Sequence, residues 1–458
     1  MIVVGYNGMT DAAEFVKKYG NKTGRDKHRN GGHDAAAAIF KDGRLIAAAE
    51  EERFSRVKKT SDFPINAIHY CLSEAGITPK EVDRYVIPWE FEDEKQLVGA
   101  AIDILNGPGS LTDRFNSLEY SLSKPLLEIL SHDYFVNDFN KRMGMDLEED
   151  KFMFIPHHLT HMTCGFFLSG YKPSAFLITD GRGEFSASEM GEISKDGFKV
   201  FEENTRDVKD SLGLLYRKFT RYLGYVPNCD EYKVMAMAAF VKSIPTYDYS
   251  KFIEFQPNGK FEIKIQPHDE RILYPDADES YYPFFREFFG ERNEENDNNA
   301  AYFIQNLTEE AIWHQIKFLQ EKSQAETLLI EGGVAMNCVS NGKILRRSRF
   351  KDVHVSFCAN DAGVAIGSAF FPFYLDKIFP ETTITPYLGP TYSHQNMLDA
   401  LNAKAEVLDF KELDESGVCE TVTDHLNEKK IIGWFQDRME YGSRALGNRS
   451  ILASPMFE

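Results

Sequence analysis

Short apolar runs closed by glycine alternate along this chain with stretches in which apolar residues return every three or four positions. The runs read as buried strands entering turns and the periodic stretches as amphipathic helices, so the alternation predicts an α/β protein. Ile2-Val3-Val4-Gly5-Tyr6-Asn7 is the first such strand, and a polar insertion over residues 8–30 follows it. Ala35–Phe40 and Leu45–Ala49 then flank Lys41-Asp42-Gly43, and an Asp-Gly pair between apolar runs is a strong hairpin signal. The same order returns later as Ala175-Phe176-Leu177-Ile178-Thr179, the turn Asp180-Gly181-Arg182-Gly183, a strand near Ser186–Ile193, and Lys195-Asp196-Gly197 before Phe198-Lys199-Val200. Two copies of strand, glycine turn, strand, Lys-Asp-Gly and strand predict a duplicated fold.

Each copy leads into helical pattern. Pro64 suits a first helical turn, and the pattern after it stops near Gly76. Apolar Ala301, Ile304, Leu307, Ala311, Ile312, Ile316 and Leu319 predict a helix over roughly 298–322, followed by a buried strand at Thr327–Ile330. Residues 92–150 read as a mostly helical insertion, and the acidic, aromatic-rich stretch Asp269–Asn298 as surface. A proline- and threonine-rich linker at 381–390 separates a domain over 1–380, with lobes at 1–165 and 166–380, from a new αβ unit over 391–458.

Composition narrows the classes. The chain has 458 residues, 43% hydrophobic and 27% charged, which fits a globular protein of two or three domains. A formal charge of −19 argues against wrapping nucleic acid or lying on an anionic membrane. No run approaches the ~18 apolar residues that span a bilayer, and Met1 leads into Ile-Val-Val-Gly without a basic leader, so a soluble, cytoplasmic protein is expected. No two of the six cysteines have C-x-x-C spacing, so most are expected to be reduced packing residues.

Several motifs could carry chemistry. His157 and His161 in His157-His158-Leu159-Thr160-His161 are spaced to share one helix face, a spacing suited to a divalent transition metal, although the motif alone more often marks ordinary polar packing. The glutamate of the H-E-x-x-H pattern is absent, which disfavours a metalloprotease. The turn containing Gly181 and Gly183 would let backbone N–H groups approach phosphate, or form a plain hairpin. Glu331-Gly332-Gly333-Val334-Ala335-Met336-Asn337 offers a helix N-terminus to a nucleotide, or tight strand–helix packing. Asp361 could cap a helix or bind a metal. Arg438, Arg444 and Arg449 surround Gly442 and Gly447, and guanidinium forks of this kind suit a phosphorylated guest.

Together these segments resemble the carbamoyltransferase family of NodU, CmcH and tobramycin carbamoyltransferase. The resemblance is carried by His33-Asp34, Glu51-Glu52-Arg53-Phe54-Ser55-Arg56-Val57-Lys58, the histidine motif, Glu231-Tyr232-Lys233-Val234-Met235, Gly332–Cys338, Asn360-Asp361-Ala362-Gly363 and Arg444-Ala445-Leu446-Gly447-Asn448-Arg449-Ser450. They occur in the family's order and span almost the whole chain.

The resemblance implies a two-lobed actin/sugar-kinase-like (ASKHA) domain followed by a YrdC-like domain. It implies an ATP-dependent O-carbamoyltransferase that moves a carbamoyl group from carbamoyl phosphate, through carbamoyl-adenylate, to a hydroxyl of a small secondary metabolite such as an antibiotic or toxin. ATP with magnesium is the implied co-substrate. His157, His161 and Asp361 match metal-binding positions, with Asp180 as a fourth; the family implies iron, and the ligand types also suit manganese or zinc. By the same resemblance His33, Lys58 and Asp230 face the acceptor and reacting carbonyl, with His33 as general base and Lys58 stabilising developing oxygen charge. Gly181, Gly183, Gly332, Gly333, Asn337, Arg438, Arg444 and Arg449 are implied to hold nucleotide or phosphate. The sequence leaves room for a homodimer.

Threonylcarbamoyl transfer to tRNA and a non-catalytic ATP-binding or partner module are the competing readings, and the net negative charge counts against the first. The sequence departs from the family in its lengthened 8–30 region and in Cys229-Asp230-Glu231. It also stops at Glu458, where family members continue for another ~100 residues, about one small domain. A truncated adenylate-forming domain, mobile over 391–458, is the resulting expectation.

Overall fold

In the computed structural model the described residues are 1–8, 33–91, 105, 131–265, 282–379 and 384–456. The polar insertion over 8–30 falls almost wholly outside them, as do most of the expected helical insertion and part of the 381–390 linker.

Strand β1 (Ile2–Asn7) pairs antiparallel with β2 (Ala36–Lys41), which turns back on β3 (Arg44–Glu50). Asp42 and Gly43 take φ of +53° and +77° in that turn, as a two-residue hairpin requires. Helix α1 (Ile65–Ala75) then packs on β2 and β3 and ends at Gly76 in left-handed backbone. Strands β4 (Arg84–Ile87) and β5 (Phe152–Phe154) extend the sheet in parallel, giving the order β3-β2-β1-β4-β5. Helix α2 (His132–Met143) precedes β5.

Helix α3 (His157–Leu168) leads to the second sheet, where β6 (Ser174–Thr179), β7 (Ser186–Ile193) and β8 (Phe198–Val200) form an antiparallel meander with β9 (Arg206–Asp207) beside β7. Helices α4 (Leu212–Tyr222) and α5 (Glu231–Met237), hairpin β10 (Ile253–Phe255)–β11 (Phe261–Ile263), and helices α6 (Tyr282–Phe289) and α7 (Glu294–Lys322) follow. Strands β12 (Thr327–Glu331) and β13 (Asp352–Val355), joined through helix α8 (Cys338–Arg347), complete the order β13-β12-β6-β7-β8. Three antiparallel strands with two parallel ones beside the first strand thus occur twice, which is the duplicated α/β pattern.

Helix α9 (Gly363–Leu375) follows the fifth strand of the second copy and lies against α3, which follows the fifth strand of the first. Glycine sets this approach: a Cβ on Gly367 would stand 1.8 Å from the Thr160 carbonyl oxygen, and one on Gly5 would stand 2.2 Å from that of Ala365. Helix α7 starts before its periodic pattern because Asn293 accepts from Asn296 N–H and Glu294, Glu295 and Asp297 fill the first turn. Of the stretch Asp269–Asn298 expected on the surface, 269–281 lie outside the described residues, and in the described part most charged side chains are exposed while two phenylalanines turn inward. Phe285 and Phe289 are buried beside Phe219, Phe252 and Phe303, where their ring area leaves water.

Beyond 384 come helices α10 (His394–Asn402) and α11 (Glu415–Asn427) and the antiparallel pair β14 (Ile432–Phe435)–β15 (Arg449–Leu452). Ala48 N–H donates to Leu388 O, which ties the strap 386–390 to β3, and the bonds from Gly389 N–H to Met439 O and from Tyr441 N–H to Pro386 O tie that strap to 439–441. Among the described residues no helix is long and apolar enough to cross a membrane.

Candidate functional site

Pro156 has no N–H and its side chain cannot cap α3. The buried Glu184 carboxylate takes that place, accepting the backbone N–H of His157 at 2.9 Å and of Glu90 at 2.8 Å. The helix then carries His157 and His161 into the interior on one face, both fully buried. Strand β6 delivers Asp180 at its end. Asp361 precedes α9, whose N-cap is Ala362 without a side-chain cap, so the Asp361 carboxylate does not cap the helix and faces the imidazoles.

The ligand atoms of His157, His161, Asp180 and Asp361 lie within 4.8 Å of one another. His157 Nε2 is 3.4 Å from Asp180 Oδ2 and 3.7 Å from Asp361 Oδ1, and His161 Nε2 is 3.9 and 3.7 Å from the same atoms. His157 Nε2, His161 Nε2 and Asp361 Oδ1 are buried without a hydrogen-bond partner. Three orphaned ligand atoms, two imidazole nitrogens and one carboxylate oxygen, converge beside a second carboxylate, and this donor set fits a borderline divalent ion. Burial opposes charge on all four residues. Nevertheless the two carboxylates carry His157 up to about 10, and the imidazoles of His33, His157 and His161 hold Asp361 well below the usual carboxylate range. Burial pushes His161 down. The pocket thus calls for added positive charge, which a proton on His157 or a bound cation supplies.

Supporting contacts orient the ligands. His157 Nδ1 lies 3.2 Å from Pro88 O, and Asp180 Oδ1 accepts Gly333 N–H at 2.8 Å. Gly332 has φ +95°, and a Cβ there would meet Thr179 O at 2.4 Å, so glycine is required where β12 turns beside β6. His33 borders the cluster: its Nδ1 is 2.8 Å from Asp34 Oδ2 and 3.6 Å from Asp361 Oδ2, and its side chain keeps 23% exposure. Burial pulls His33 down, and Asp361 with Asp34 outweighs it and raises it.

The other expected residues are distributed around this centre. Gly183 lies against the His158 ring, and the Gly181 carbonyl accepts from Ser211 Oγ at 2.7 Å. Asn337 caps α8 and exchanges amide hydrogen bonds with Gln305. Asp230 accepts Val226 N–H at 3.1 Å and pairs with Lys233 at 3.0 Å. Lys58 is exposed, its Nζ 5.8 Å from the Tyr232 ring centroid, and the Arg444 guanidinium approaches the same ring at 5.9 Å. Arg438 bonds Gly389 O, Leu388 O, Tyr70 and Glu74, whereas Arg449 lies 3.9 Å from Glu440 Oε2. Glu440 Oε1 itself accepts the N–H groups of Leu446, Asn448 and Arg449, so a carboxylate of the chain fills the amides of the arginine-rich loop.

Sequence reasoning missed Lys59 and Glu184, and it placed Asp34 in a motif without giving it a role. Lys59 Nζ is 3.4 Å from Asp34 Oδ2; burial pulls its ammonium down, and Asp34 and Glu231 raise it above the usual lysine value. Lys59 and Asp34 both have positive φ, +55° and +56°, which turns their side chains out of the order their neighbours suggest.

Comparison with known proteins fits this geometry. Residues 31–370 match the family described as Carbamoyltransferase N-terminus, and 423–458 that described as Carbamoyltransferase C-terminus. The uncharacterized protein sll1178 of Synechocystis is 32% identical over 92% of this chain and 70% of its own length. The nodulation protein NolNO of Sinorhizobium fredii is 31% identical over 92% of this chain, which spans 58% of that relative. The 3'-hydroxymethylcephem-O-carbamoyltransferase of Streptomyces clavuligerus is 31% identical over 29% of this chain and 24% of its own length. Among solved structures, HypF of T. kodakarensis aligns with 83% of this chain and 48% of its own at 9% identity and a TM-score of 0.41, too distant to add to the assignment. On the match over 31–370, which contains all four clustered ligands, the chain belongs to the carbamoyltransferase family.

Proposed function

We propose that this chain holds the transfer site of an ATP-dependent O-carbamoyltransferase that moves a carbamoyl group from carbamoyl phosphate, by way of carbamoyl-adenylate, to a hydroxyl of a small secondary metabolite. The observation that carries this reading is the buried His157, His161, Asp180 and Asp361 cluster bordered by the partly open His33, within a chain of this family. Asp34 engages His33 Nδ1, which leaves Nε2 to take the proton of an acceptor hydroxyl, and an alcohol is a poor nucleophile until that proton is accepted. The hydroxyl oxygen bonds to the carbamoyl carbon, the carbon–oxygen bond to the adenylate phosphate breaks, and AMP leaves. Lys59 and Lys58 supply positive charge beside the oxygen on which charge develops. His157, His161, Asp180 and Asp361 would hold a divalent ion, iron by family and manganese or zinc by ligand type, which would supply Lewis-acid charge at the site.

Residues 1–380 form the transfer domain in this reading, with lobes at 1–165 and 166–380, and 391–458 belong to a YrdC-like adenylate-forming unit. The separate matches over 31–370 and 423–458 support that division. The name of the Streptomyces relative, with its hydroxymethyl acceptor, supports a hydroxyl as the group modified. The test supplies two donors to a panel of hydroxyl-bearing metabolites and reads product mass: carbamoyl phosphate with ATP and magnesium, or pre-formed carbamoyl-adenylate. Carbamoylated product from the adenylate supports the transfer site; no product from either donor contradicts it.

A further inference from the structure

The loop after β4 places Trp89 on the first metal ligand. The indole stacks on the His157 imidazole with centroids 4.2 Å and planes 23° apart, and Phe91 stacks on the indole at 5.5 Å with planes 4° apart. The indole N–H donates to Asn7 Oδ1 at 3.2 Å. Asn7 ends β1, is 3% exposed, and donates its amide to the carbonyl oxygens of His33 at 3.1 Å and Asp361 at 3.3 Å. One buried amide thus uses both donors and its acceptor on three parts of the site that are far apart in the chain.

These contacts leave the ligand atoms free. His157 Nε2 has no hydrogen-bond partner, and its Nδ1 faces the carbonyl of Pro88, the residue before Trp89. A carbonyl only accepts, so Nδ1 carries a hydrogen, and Nε2 is the ring atom that a metal would take in place of a proton. Pro88 therefore selects the tautomer while Trp89 fixes the plane of the same ring. Filling the core would need only the indole's area. The link from its N–H through Asn7 to the backbones of His33 and Asp361 adds nothing to hydrophobic burial and holds the two sides of the site in register.

We propose that Asn7 and Trp89 are a positioning pair: Trp89 sets the plane in which His157 meets a metal, and Asn7 locks that indole to the backbones of His33 and Asp361. The inference rests on the metal reading of the cluster. Loss of either partner lets the imidazole plane drift while all four ligands remain, so metal is still bound, less tightly and in altered geometry.

Cobalt(II) titration of the full chain tests this, read by visible d–d absorption and by tryptophan emission, with Trp313 and Trp434 as internal references. In the unaltered protein cobalt should quench the Trp89 share of the emission, and Trp89→Phe should lack that share. Asn7→Ala and Trp89→Leu should raise the cobalt Kd about 10- to 100-fold and shift the d–d bands. Trp89→Phe, which keeps a ring on His157, should lose less affinity. Circular dichroism and thermal unfolding show which variants remain folded; should Trp89→Leu not fold, the band position in Trp89→Phe decides. Equal Kd and unchanged bands in every folded variant would overturn the pairing and leave the metal reading intact. No cobalt binding by the unaltered protein would overturn the metal reading and the pairing with it.

Discussion

Every residue of the histidine helix except Leu159 is buried, whereas the helices at His394–Asn402 and Glu415–Asn427 bury none. The first helix lies between two sheets, so packing fixes each side chain and the ligand geometry follows from the core. The C-terminal unit has such enclosure only around Met439–Gly442 and at Asn448 among its described residues, where Tyr441 joins the core and donates its hydroxyl to Ala362 O. Ile431, Phe435 and Ile451 are exposed on or beside its two-stranded sheet, and its arginine-rich loop is shaped locally by Glu440 and by the strap that Arg438 ties to α1. A polar side chain can be positioned by a buried shell or by local hydrogen bonds, and the two should respond differently to mutation.

The largest expected effect is on the chemistry of the enclosed region. His33→Ala should lower carbamoyl transfer from pre-formed adenylate about 10²–10⁴-fold with little change in thermal unfolding, as single-turnover kinetics would show. Turnover near that of the unaltered protein would make His33 a structural turn residue.

A second effect comes from the shell itself. Glu331 is wholly inaccessible at the end of β12, accepting from Ser356 N–H at 3.0 Å and Ser356 Oγ at 2.8 Å, and burial pushes its carboxyl up to about 8. Its protonated form belongs to the folded state. The stability that form contributes is complete below the unfolded-state value near 4.5 and is lost as pH rises through about 8. The loss amounts to a few kcal/mol by the ~1.4 kcal/mol carried by each unit. Glu331→Gln keeps an acceptor for Ser356 N–H and cannot ionise, so denaturant unfolding of this variant should vary less between pH 5 and pH 8 than that of the parent. Parallel pH profiles would refute this.

The smallest effect belongs to the strap. Arg438→Ala removes hydrogen bonds to Gly389 O and Tyr70 and an ion pair with Glu74, and should cost about 1–2 kcal/mol of docking. Faster hydrogen exchange over 386–390 and 432–452 with unchanged metal content would confirm that the two regions are separable. A loss of metal in this variant would show that they are not.

The comparison also marks how far the sequence could be read. The hairpin at Asp42-Gly43, the duplicated strand order and the His157/His161 spacing are local signals, and each appears in the structure where its pattern placed it. Asp361 in isolation suits a cap as well as a ligand; the resemblance names it a ligand, and the packing of α9 against α3 sets its carboxylate beside the imidazoles. Lys59 is hidden behind Lys58 because a positive φ redirects it. Asn7 and Trp89 carry no motif at all, since their roles arise when the ends of β1 and β4 meet. The inward turn of Phe285 and Phe289 likewise depends on a core assembled from distant segments.

Metal content bears most directly on the central claim. Elemental analysis of the purified protein should find about one divalent ion per chain, and the His157→Ala/His161→Ala double variant, folded by circular dichroism, should contain none. Equal metal content in the two would contradict the assignment of the buried His157, His161, Asp180 and Asp361 cluster as the metal centre.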